Sequence, residues 1–332
     1  MTRPAAVGAD SAPVNAGDHA SHRDDHPHAD GVTRHAARRS ERALVLHGGG
    51  SAGNAWEIGV IAGLHALGVD LTSAELIVGT SAGATAAAQI TGAKEPGDLL
   101  AAILAPPRAQ SEPRVHPRHG LNVVAADYMS RSNEIIARAH GPADMRRSMG
   151  AAALAQVVGD ESVGNRWRAT VAARLPSLEW PAHRLLIVAV DAESGEPVVF
   201  DRHSGVDLAD AVAASCANGF GVAPYAIGER RYIDGGYRRN ENADLAAGYQ
   251  RVLVLSPFSG RTRHPLHWGM QLAEQISELR AAGSRVEAIF PDERSRGAFG
   301  ANMMDPSTRP PAARAGYDEG RALAEDLRDF WC

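Results

Sequence analysis

The chain has 332 residues, of which 44% are hydrophobic and 22% charged, so it is long and apolar enough to bury a sizeable core. Its formal net charge of −5 argues against nucleic acid as a partner, since proteins that bind this polyanion carry basic surfaces. With two cysteines and no apolar run of roughly 18 residues, we expect neither a disulfide framework nor a membrane span. The sequence predicts a cytoplasmic protein that is at most peripheral to a membrane.

Residues 1–39 are polar and show no hydrophobic periodicity, which predicts a disordered tail rich in His, Asp and Arg. Four histidines lie there among aspartates, namely His19, His22, His26 and His28. Such a group can hold a transition metal loosely, but a solvated tail is the commoner outcome for this composition. We therefore predict no metal site and no cofactor.

From residue 42 onward, apolar strands alternate with helical patterns. Residues 43–46 form an apolar run that ends in glycines, as expected of a buried parallel strand, and residues 76–78 form a second run. Helical spacing connects the two from Trp56 to Leu67, and an alanine-rich helical segment begins at Ala82. This order predicts an α/β fold with a doubly wound, mostly parallel sheet and helices on both faces.

The remainder of the chain continues the alternation. Residues 106–173 combine a proline-containing excursion with helical patterns, and we interpret them as a lid or cap. Apolar spacing predicts further elements: a strand at 184–190 with a hairpin partner at 198–200, a helix at 207–216, strands at 252–255 and 285–290, and helices at 266–282 and 317–331. We expect an α/β domain over residues 40–290, with residues 291–332 packing on it as a loop (291–314) and a helix.

A Gly-x-Ser-x-Gly pattern lies between the second strand and the alanine-rich helix, with Ser81 at its centre and Gly79 and Gly83 on either side. A serine nucleophile requires this context, because glycines remove the Cβ atoms that would clash in so sharp a strand-to-helix turn. The helix also directs its positive end at the serine oxygen as negative charge develops there. The pattern predicts that Ser81 is a nucleophile on a nucleophile elbow.

A second glycine-rich segment, Gly48, Gly49 and Gly50, follows the first strand and leaves backbone N–H groups free to converge on an anion. In acyl transfer that anion is the oxyanion of the tetrahedral intermediate, and one such donor contributes ~3–4 kcal/mol. Turns after neighbouring parallel strands open at the same sheet edge, so we expect this loop and Ser81 to lie together.

Two other interpretations of the glycine loop remain open on the residues alone. Its Gly-x-Gly-x-x-Gly spacing, which ends at Gly53, fits a dinucleotide-binding oxidoreductase with Asp70 as the ribose ligand. An α/β-hydrolase would instead use the His-Gly-Gly-Gly of residues 47–50 for the oxyanion and would need His264 or His267 as its base. Both histidines start a predicted helix, where solvated or capping histidines are commoner.

A third interpretation accounts for more of the sequence. A glycine loop after the first strand, a Gly-x-Ser-x-Gly after the second and a distant Asp-Gly-Gly at Asp234 resemble, in this order, the patatin-like phospholipases over about residues 42–290. The resemblance implies a three-layer α/β fold and a Ser81–Asp234 dyad without histidine. It also implies an oxyanion hole made by the amides of Gly48 to Gly50.

Two departures from the family pattern bear on the substrate rather than on the chemistry. Ala52 stands where the family commonly has a basic residue, and residues 218–221 differ from its usual small-residue and proline run. Of the rival acids, Asp191 precedes a turn sequence and Asp201 opens a polar loop, and both are expected to be structural or solvated. We expect a serine-dependent hydrolase of lipid esters (phospholipid, lysophospholipid or acylglycerol) with transient contact at a membrane surface. The alternatives are the oxidoreductase and a non-catalytic lipid-binding protein.

Overall fold

Eight strands form one mixed sheet in the part of the chain that the structure, a computed structural model, describes: residues 41–106, 129–156 and 161–332. The strands are β1 (Arg42–Leu46), β2 (Leu76–Thr80), β3 (Arg184–Asp191), β4 (Pro197–Phe200), β5 (Tyr225–Ile227), β6 (Arg230–Asp234), β7 (Arg251–Leu255) and β8 (Arg285–Ile289). The predicted tail at 1–39 lies outside the described residues, as do 107–128 and 157–160 of the predicted lid, so both predictions stay predictions.

The α-helices of the described ranges alternate with these strands. They are α1 (Gly50–His65), α2 (Ala82–Ile90), α3 (Pro96–Leu104), α4 (129–138), α5 (Pro142–Leu154), α6 (Glu161–Ala172), α7 (Leu208–Ser215), α8 (Leu272–Ala281), α9 (Glu293–Ala298) and α10 (Arg309–Trp331). A short 3-10 turn over Ala243–Ala246 follows β6.

The sheet is parallel at its centre and antiparallel at one side. Its order is β5-β6-β3-β2-β1-β7-β8, with β4 also paired to β3. The pairs β2–β3, β1–β2, β1–β7 and β7–β8 are parallel, and the pairs that involve β4, β5 and β6 are antiparallel. The central strands read as continuous apolar runs because both of their faces are covered. The predicted doubly wound, mostly parallel sheet is confirmed.

Strand β3 sets the relative positions of β2 and β6. Its Val188 pairs with Thr80, the last residue of β2, and the next residue, Ala189, pairs with Asp234, the last residue of β6. The opposite edge of β3 is occupied by β4 over these same positions. β2 and β6 therefore approach end to end on one side of β3, from opposite directions, and their last residues become neighbours.

Alternate strand residues face two different helix layers. Leu44 and Leu46 belong to a buried cluster that includes residues of α1, α2, α7 and α10. Ala43 and Val45 belong to a second buried cluster, on the other face, with α8 and the Ala243–Ala246 turn. The fold thus has three layers, with the sheet between two layers of helices.

Helices α1 and α10 pack with their backbones in direct contact. A Cβ on Gly59 of α1 would lie 2.3 Å from the Ala313 carbonyl oxygen, and one on Gly316 of α10 would lie 2.4 Å from the Trp56 carbonyl oxygen. Gly63 and Gly320, one turn along each helix, are packed equally closely. These glycines allow α10 to lie against the helix that begins at the glycine loop, which brings the C-terminal segment to the site.

Two sequence predictions in the C-terminal third were wrong in detail. The helix predicted over 266–282 is divided, because Gly269 adopts φ 64° and ends a short 3-10 turn before α8 begins. The loop predicted over 291–314 contains α9 and the start of α10. Prolines at the beginning of α10 are compatible with a helix, because N–H groups in the first turn have no acceptor within the helix.

Candidate active site

Ser81 lies on a sharp turn between β2 and α2. Its backbone has φ 55° and ψ −122°, which L-residues rarely adopt and which costs about 1–3 kcal/mol. Gly79 and Gly83 make the turn feasible. A Cβ on Gly79 would lie 2.6 Å from the Ala84 Cα, and one on Gly83 would lie 2.2 Å from the Leu46 carbonyl oxygen. The two glycines allow α2 to pack directly on the strands.

Two residues at the end of α7 hold the backbone of Ser81. The Ser81 N–H donates to Ser215 Oγ over 2.9 Å, and the Cys216 thiol donates to the Ser81 carbonyl over 3.0 Å. Burial and the nearby Asp234 raise the pKa of Cys216 to about 12, so this thiol stays protonated and serves as a donor. The sequence did not single out either residue as part of the site, because α7 carries no motif.

Asp234, at the end of β6, lies against Ser81. The Ser81 side chain hydrogen bonds to the Asp234 carboxylate, and the Gly236 N–H donates to Asp234 Oδ1 over 2.8 Å. Burial raises the pKa of Asp234 to about 6, although both hydrogen bonds act in the opposite direction. Such a carboxylate is more basic than a solvated aspartate and is still mostly ionised at neutral pH.

Asn242 connects the turn at the serine with the turn at the aspartate. Its Nδ2 donates to Thr80 Oγ1 over 3.0 Å and to the Gly235 carbonyl over 3.1 Å. Thr80 precedes Ser81 and Gly235 follows Asp234, so one fully buried amide fixes both turns. Sequence reasoning missed Asn242, because its contact with Thr80 joins residues that are 162 positions apart in sequence.

The glycine loop lies directly beside Ser81. A Cβ on Gly48 would be 3.0 Å from the Ser81 Cβ and 3.4 Å from the Ser81 Oγ. Gly49 packs on Pro257, where a Cβ would approach to 2.8 Å, and Gly50 adopts φ 61° against Met304. The structure brings together the loop, the serine and the aspartate, at the carboxyl ends of neighbouring strands.

The backbone N–H groups of this loop are available to an anion. In the part of the chain that the structure describes, the N–H groups of Gly48 and Gly49 have no acceptor, whereas the Ala52 N–H donates to the Met303 carbonyl over 2.9 Å. Gly50 begins α1, so the positive end of this helix lies at the loop. Free amides and a helix N-terminus next to a serine are the arrangement that stabilises an oxyanion.

Three buried titratable side chains surround the start of the loop. Burial lowers the pKa of His47, opposed by Glu241, and it raises the pKa of Glu57 well above its ordinary range. Glu241 accepts a hydrogen bond from Ser256 Oγ over 2.8 Å. The His47 ring packs edge-on against Phe258. Burial thus disfavours the charged forms of His47 and Glu57, which support the loop as packing residues.

The histidines that an α/β-hydrolase would need have other partners. The His264 ring lies 3.3 Å from both Thr262 Oγ1 and Asn240 Oδ1, stacks on Trp268, and has its pKa lowered to about 4 by burial. His267 also packs against Trp268. Within the described ranges neither ring hydrogen bonds to Ser81 or Asp234, so no serine–histidine pair forms here.

Asp70 lies at the wrong end of the sheet for a ribose ligand. Its carboxylate accepts hydrogen bonds from the Thr72 N–H over 2.9 Å and the Thr72 hydroxyl over 2.7 Å, which caps a 3-10 turn ahead of β2. The glycine loop follows the carboxyl end of β1, at the opposite edge. The dinucleotide interpretation therefore lacks its acidic residue.

The rival acids are held in turns. Asp191 Oδ1 accepts the N–H groups of Glu193 and Ser194, and its other oxygen pairs with Arg230 at 3.1 Å. Asp201 accepts the His203 N–H over 2.8 Å in an exposed turn.

Among the residues described, no helix has the length and apolar character to cross a membrane, and no three His, Cys, Asp or Glu are grouped to hold a metal ion.

The family model for patatin-like phospholipase matches residues 44–247. The chain is similar in structure to VipD from Legionella pneumophila, with 16% identity and a TM-score of 0.40 over 86% of this chain and 67% of that one. It is also similar to the type III effector protein ExoU, with 14% identity and a TM-score of 0.36 over 86% of this chain and 53% of that one, about half of its length. No protein with a curated description matches. Because the family model covers more than half of its residues, the chain belongs to the patatin-like phospholipase family.

Proposed function

We propose that this protein is a serine-dependent hydrolase of lipid esters in which Ser81 is the nucleophile and Asp234 the general base. Membership of the family supports a lipid acyl hydrolase. The observation that carries the specific assignment is Ser81 on a strained elbow, in contact with a buried aspartate whose pKa is raised to about 6. An aspartate in solution would be a poor base for a hydroxyl, because its pKa lies far below that of the hydroxyl. Burial raises the pKa of the aspartate and so narrows this difference.

The proposed reaction has two halves. Ser81 Oγ attacks the ester carbonyl carbon while Asp234 takes the hydroxyl proton, which gives a tetrahedral oxyanion. The intermediate collapses to an acyl-serine, and Asp234 returns the proton to the departing alcohol. Water then attacks the acyl-serine with Asp234 again as base, and Ser81 is released with the carboxylic acid.

The glycine loop is the proposed oxyanion hole. Amides of Gly48, Gly49 and Gly50 would face the carbonyl oxygen, and the N-termini of α1 and α2 add positive potential. The hole matters because a carboxylate base alone leaves most of the barrier in place. Stabilisation of the oxyanion lowers this barrier further, by ~3–4 kcal/mol for each donor.

A lipid substrate is supported by the apolar rim of the site. Phe258 and Met304 lie next to the glycine loop and are 36% and 54% exposed. Large exposed apolar side chains at the entrance favour an acyl chain or the surface of a lipid aggregate over a water-soluble ester. We propose transient contact with a membrane surface from the cytoplasm, with residues 106–173 covering the bound lipid.

Hydrolysis of a short-chain nitrophenyl ester by matched variants tests this function. Ser81→Ala and Asp234→Asn should each lower kcat/KM by at least about 10³-fold, since each removes an essential part of one unit. Asp201→Asn, in an exposed turn, is the control and should retain activity. A non-catalytic lipid-binding protein would show no turnover in any variant. Full activity of Ser81→Ala would reject the assignment.

A further inference from the structure

The loop after β7 connects the glycine loop with the most exposed large apolar side chain of the described residues. We name residues 256–270 the rim loop. At its start, Pro257 packs on Gly49, where a Cβ would approach to 2.8 Å. Further along, Leu266 begins a short 3-10 turn and is 67% exposed. A single exposed leucine is ordinary on a protein surface, so its surroundings decide whether it has a role.

Other exposed apolar side chains lie near the rim loop. The Phe258 ring belongs to the loop itself, and a Cβ on Gly260 would lie 3.7 Å from the ring of Phe290, which follows β8. Met304 lies against the glycine loop. Of the eight large apolar side chains that are exposed in the described ranges, four are therefore on loops around the site, namely Phe258, Leu266, Phe290 and Met304. This concentration marks an interaction surface rather than scattered single residues.

The rim loop is basic although the chain as a whole is acidic. Residues 256–270 include two arginines and no aspartate or glutamate, whereas the chain has a net charge of −5. Arg261 is exposed and forms no ion pair with a described residue, and Arg263 reaches Ser132 of α4, to which it donates over 2.7 Å. Apolar side chains beside arginines fit the surface of a bilayer that contains anionic lipids, because such a surface attracts basic groups and accepts apolar ones at its boundary.

Hydrogen bonds fix the end of the rim loop to the segment that follows the aspartate of the dyad. Arg239 donates to the Gly269 carbonyl over 2.6 Å, and the Asn240 N–H donates to the carbonyl of the next loop residue over 3.2 Å. Arg239 also pairs with Glu278 of α8 at 2.6 Å and is attracted by Glu274, so it offsets both carboxylates. A loop that is already ordered loses little conformational entropy when it binds.

We propose that the rim loop docks the active site onto the surface of an anionic phospholipid bilayer, with Leu266 and Trp268 at the lipid boundary and Arg261 and Arg263 attracted by the negative surface. This inference rests on the proposed function, because the loop then presents the mouth of the site to a lipid substrate. Tryptophan suits this position, since its ring prefers the region between headgroups and acyl chains. The loop lies outside the dyad, so docking and hydrolysis can be measured separately.

Sedimentation with large unilamellar vesicles measures the docking. The vesicles contain phosphatidylcholine alone or equal parts of phosphatidylcholine and phosphatidylglycerol, and every protein carries Ser81→Ala so that the lipid stays intact. The mixed vesicles should bind more protein. Leu266→Asp should weaken binding to them by at least about tenfold, because an apolar side chain no longer leaves water. Arg261→Gln should weaken it by about fivefold, an effect that added salt removes.

Two residues near the amino end of β3, away from the site, provide matched controls. Leu178→Asp and Arg202→Gln change the same residue types at exposed positions and should leave vesicle binding unchanged. Leu266→Trp tests contact with the lipid directly. Its fluorescence should move to shorter wavelength and be quenched by brominated acyl chains on the mixed vesicles. Thermal unfolding of each variant shows that it is folded.

The outcomes separate this inference from the function on which it rests. Equal binding by Leu266→Asp and Leu178→Asp, or binding that phosphatidylglycerol does not increase, would overturn the docking surface. Absence of vesicle binding would overturn it as well, and a dimer in light scattering that Leu266→Asp dissociates would then assign the loop to contact with a second copy. The proposed function fails separately, if the protein with Ser81 intact does not hydrolyse the soluble nitrophenyl ester.

Discussion

The strained backbone of Ser81 predicts an unusual order of stability between two inactive variants. At most positions a glycine variant is less stable than an alanine variant by about 0.5–1 kcal/mol, because glycine gives the unfolded chain more conformational freedom. At φ 55° and ψ −122° glycine is relaxed and alanine is not. Ser81→Gly should therefore be more stable than Ser81→Ala by about 1 kcal/mol in urea denaturation. An alanine variant at least as stable as the glycine variant would contradict the strain.

The raised pKa of Asp234 predicts how activity depends on pH. A general base must be ionised, so kcat/KM should be constant above neutral pH and fall about tenfold per unit below the pKa. With that pKa at about 6, half-maximal kcat/KM is expected near pH 6. The measurement is a pH–rate profile with a soluble ester whose own charge does not change. An inflection near pH 4 would show that Asp234 is not buried in the working enzyme.

At the scale of elements, the contact between α1 and α10 is sensitive to a single added methyl group. Gly59→Ala would place a Cβ 2.3 Å from a backbone oxygen, so one helix must move, which should cost about 1–3 kcal/mol or more. Gly97→Ala is the matched control, because no atom lies within 4 Å of its Cβ position in α3. It should be neutral or stabilising by up to about 1 kcal/mol.

Unfolding of both variants in guanidinium chloride measures the difference between their free energies of unfolding. Comparable stability of Gly59→Ala and Gly97→Ala would mean that α10 is not packed as closely as described.

The central elements were predictable from local pattern, and the errors have physical causes. Apolar runs identified β1, β2 and β7, because the inner residues of strands that are buried on both faces are apolar. The β5 strand was missed because it has three residues and depends on its pairing with β6. The helix at 266–282 was predicted as continuous from its favourable periodicity. The left-handed conformation of Gly269 overrides that periodicity and divides the helix.

At the scale of the whole molecule, the motifs predicted which parts of the chain meet but not what supports them. Ser81 and the glycine loop were identifiable because each follows a strand in a recognisable turn. Ser215 and Asn242 were not, because each contacts the turn at Ser81 from more than 100 residues away in sequence.

Covalent labelling with a fluorophosphonate, followed by mass-spectrometric identification of the modified residue, tests the dyad most directly. Only an activated serine reacts, so the protein should be labelled at Ser81. Asp234→Asn should slow labelling by at least about 100-fold, because the base that removes the hydroxyl proton is lost. Labelling of a different residue, or labelling of Ser81 at an undiminished rate in Asp234→Asn, would contradict a Ser81–Asp234 dyad.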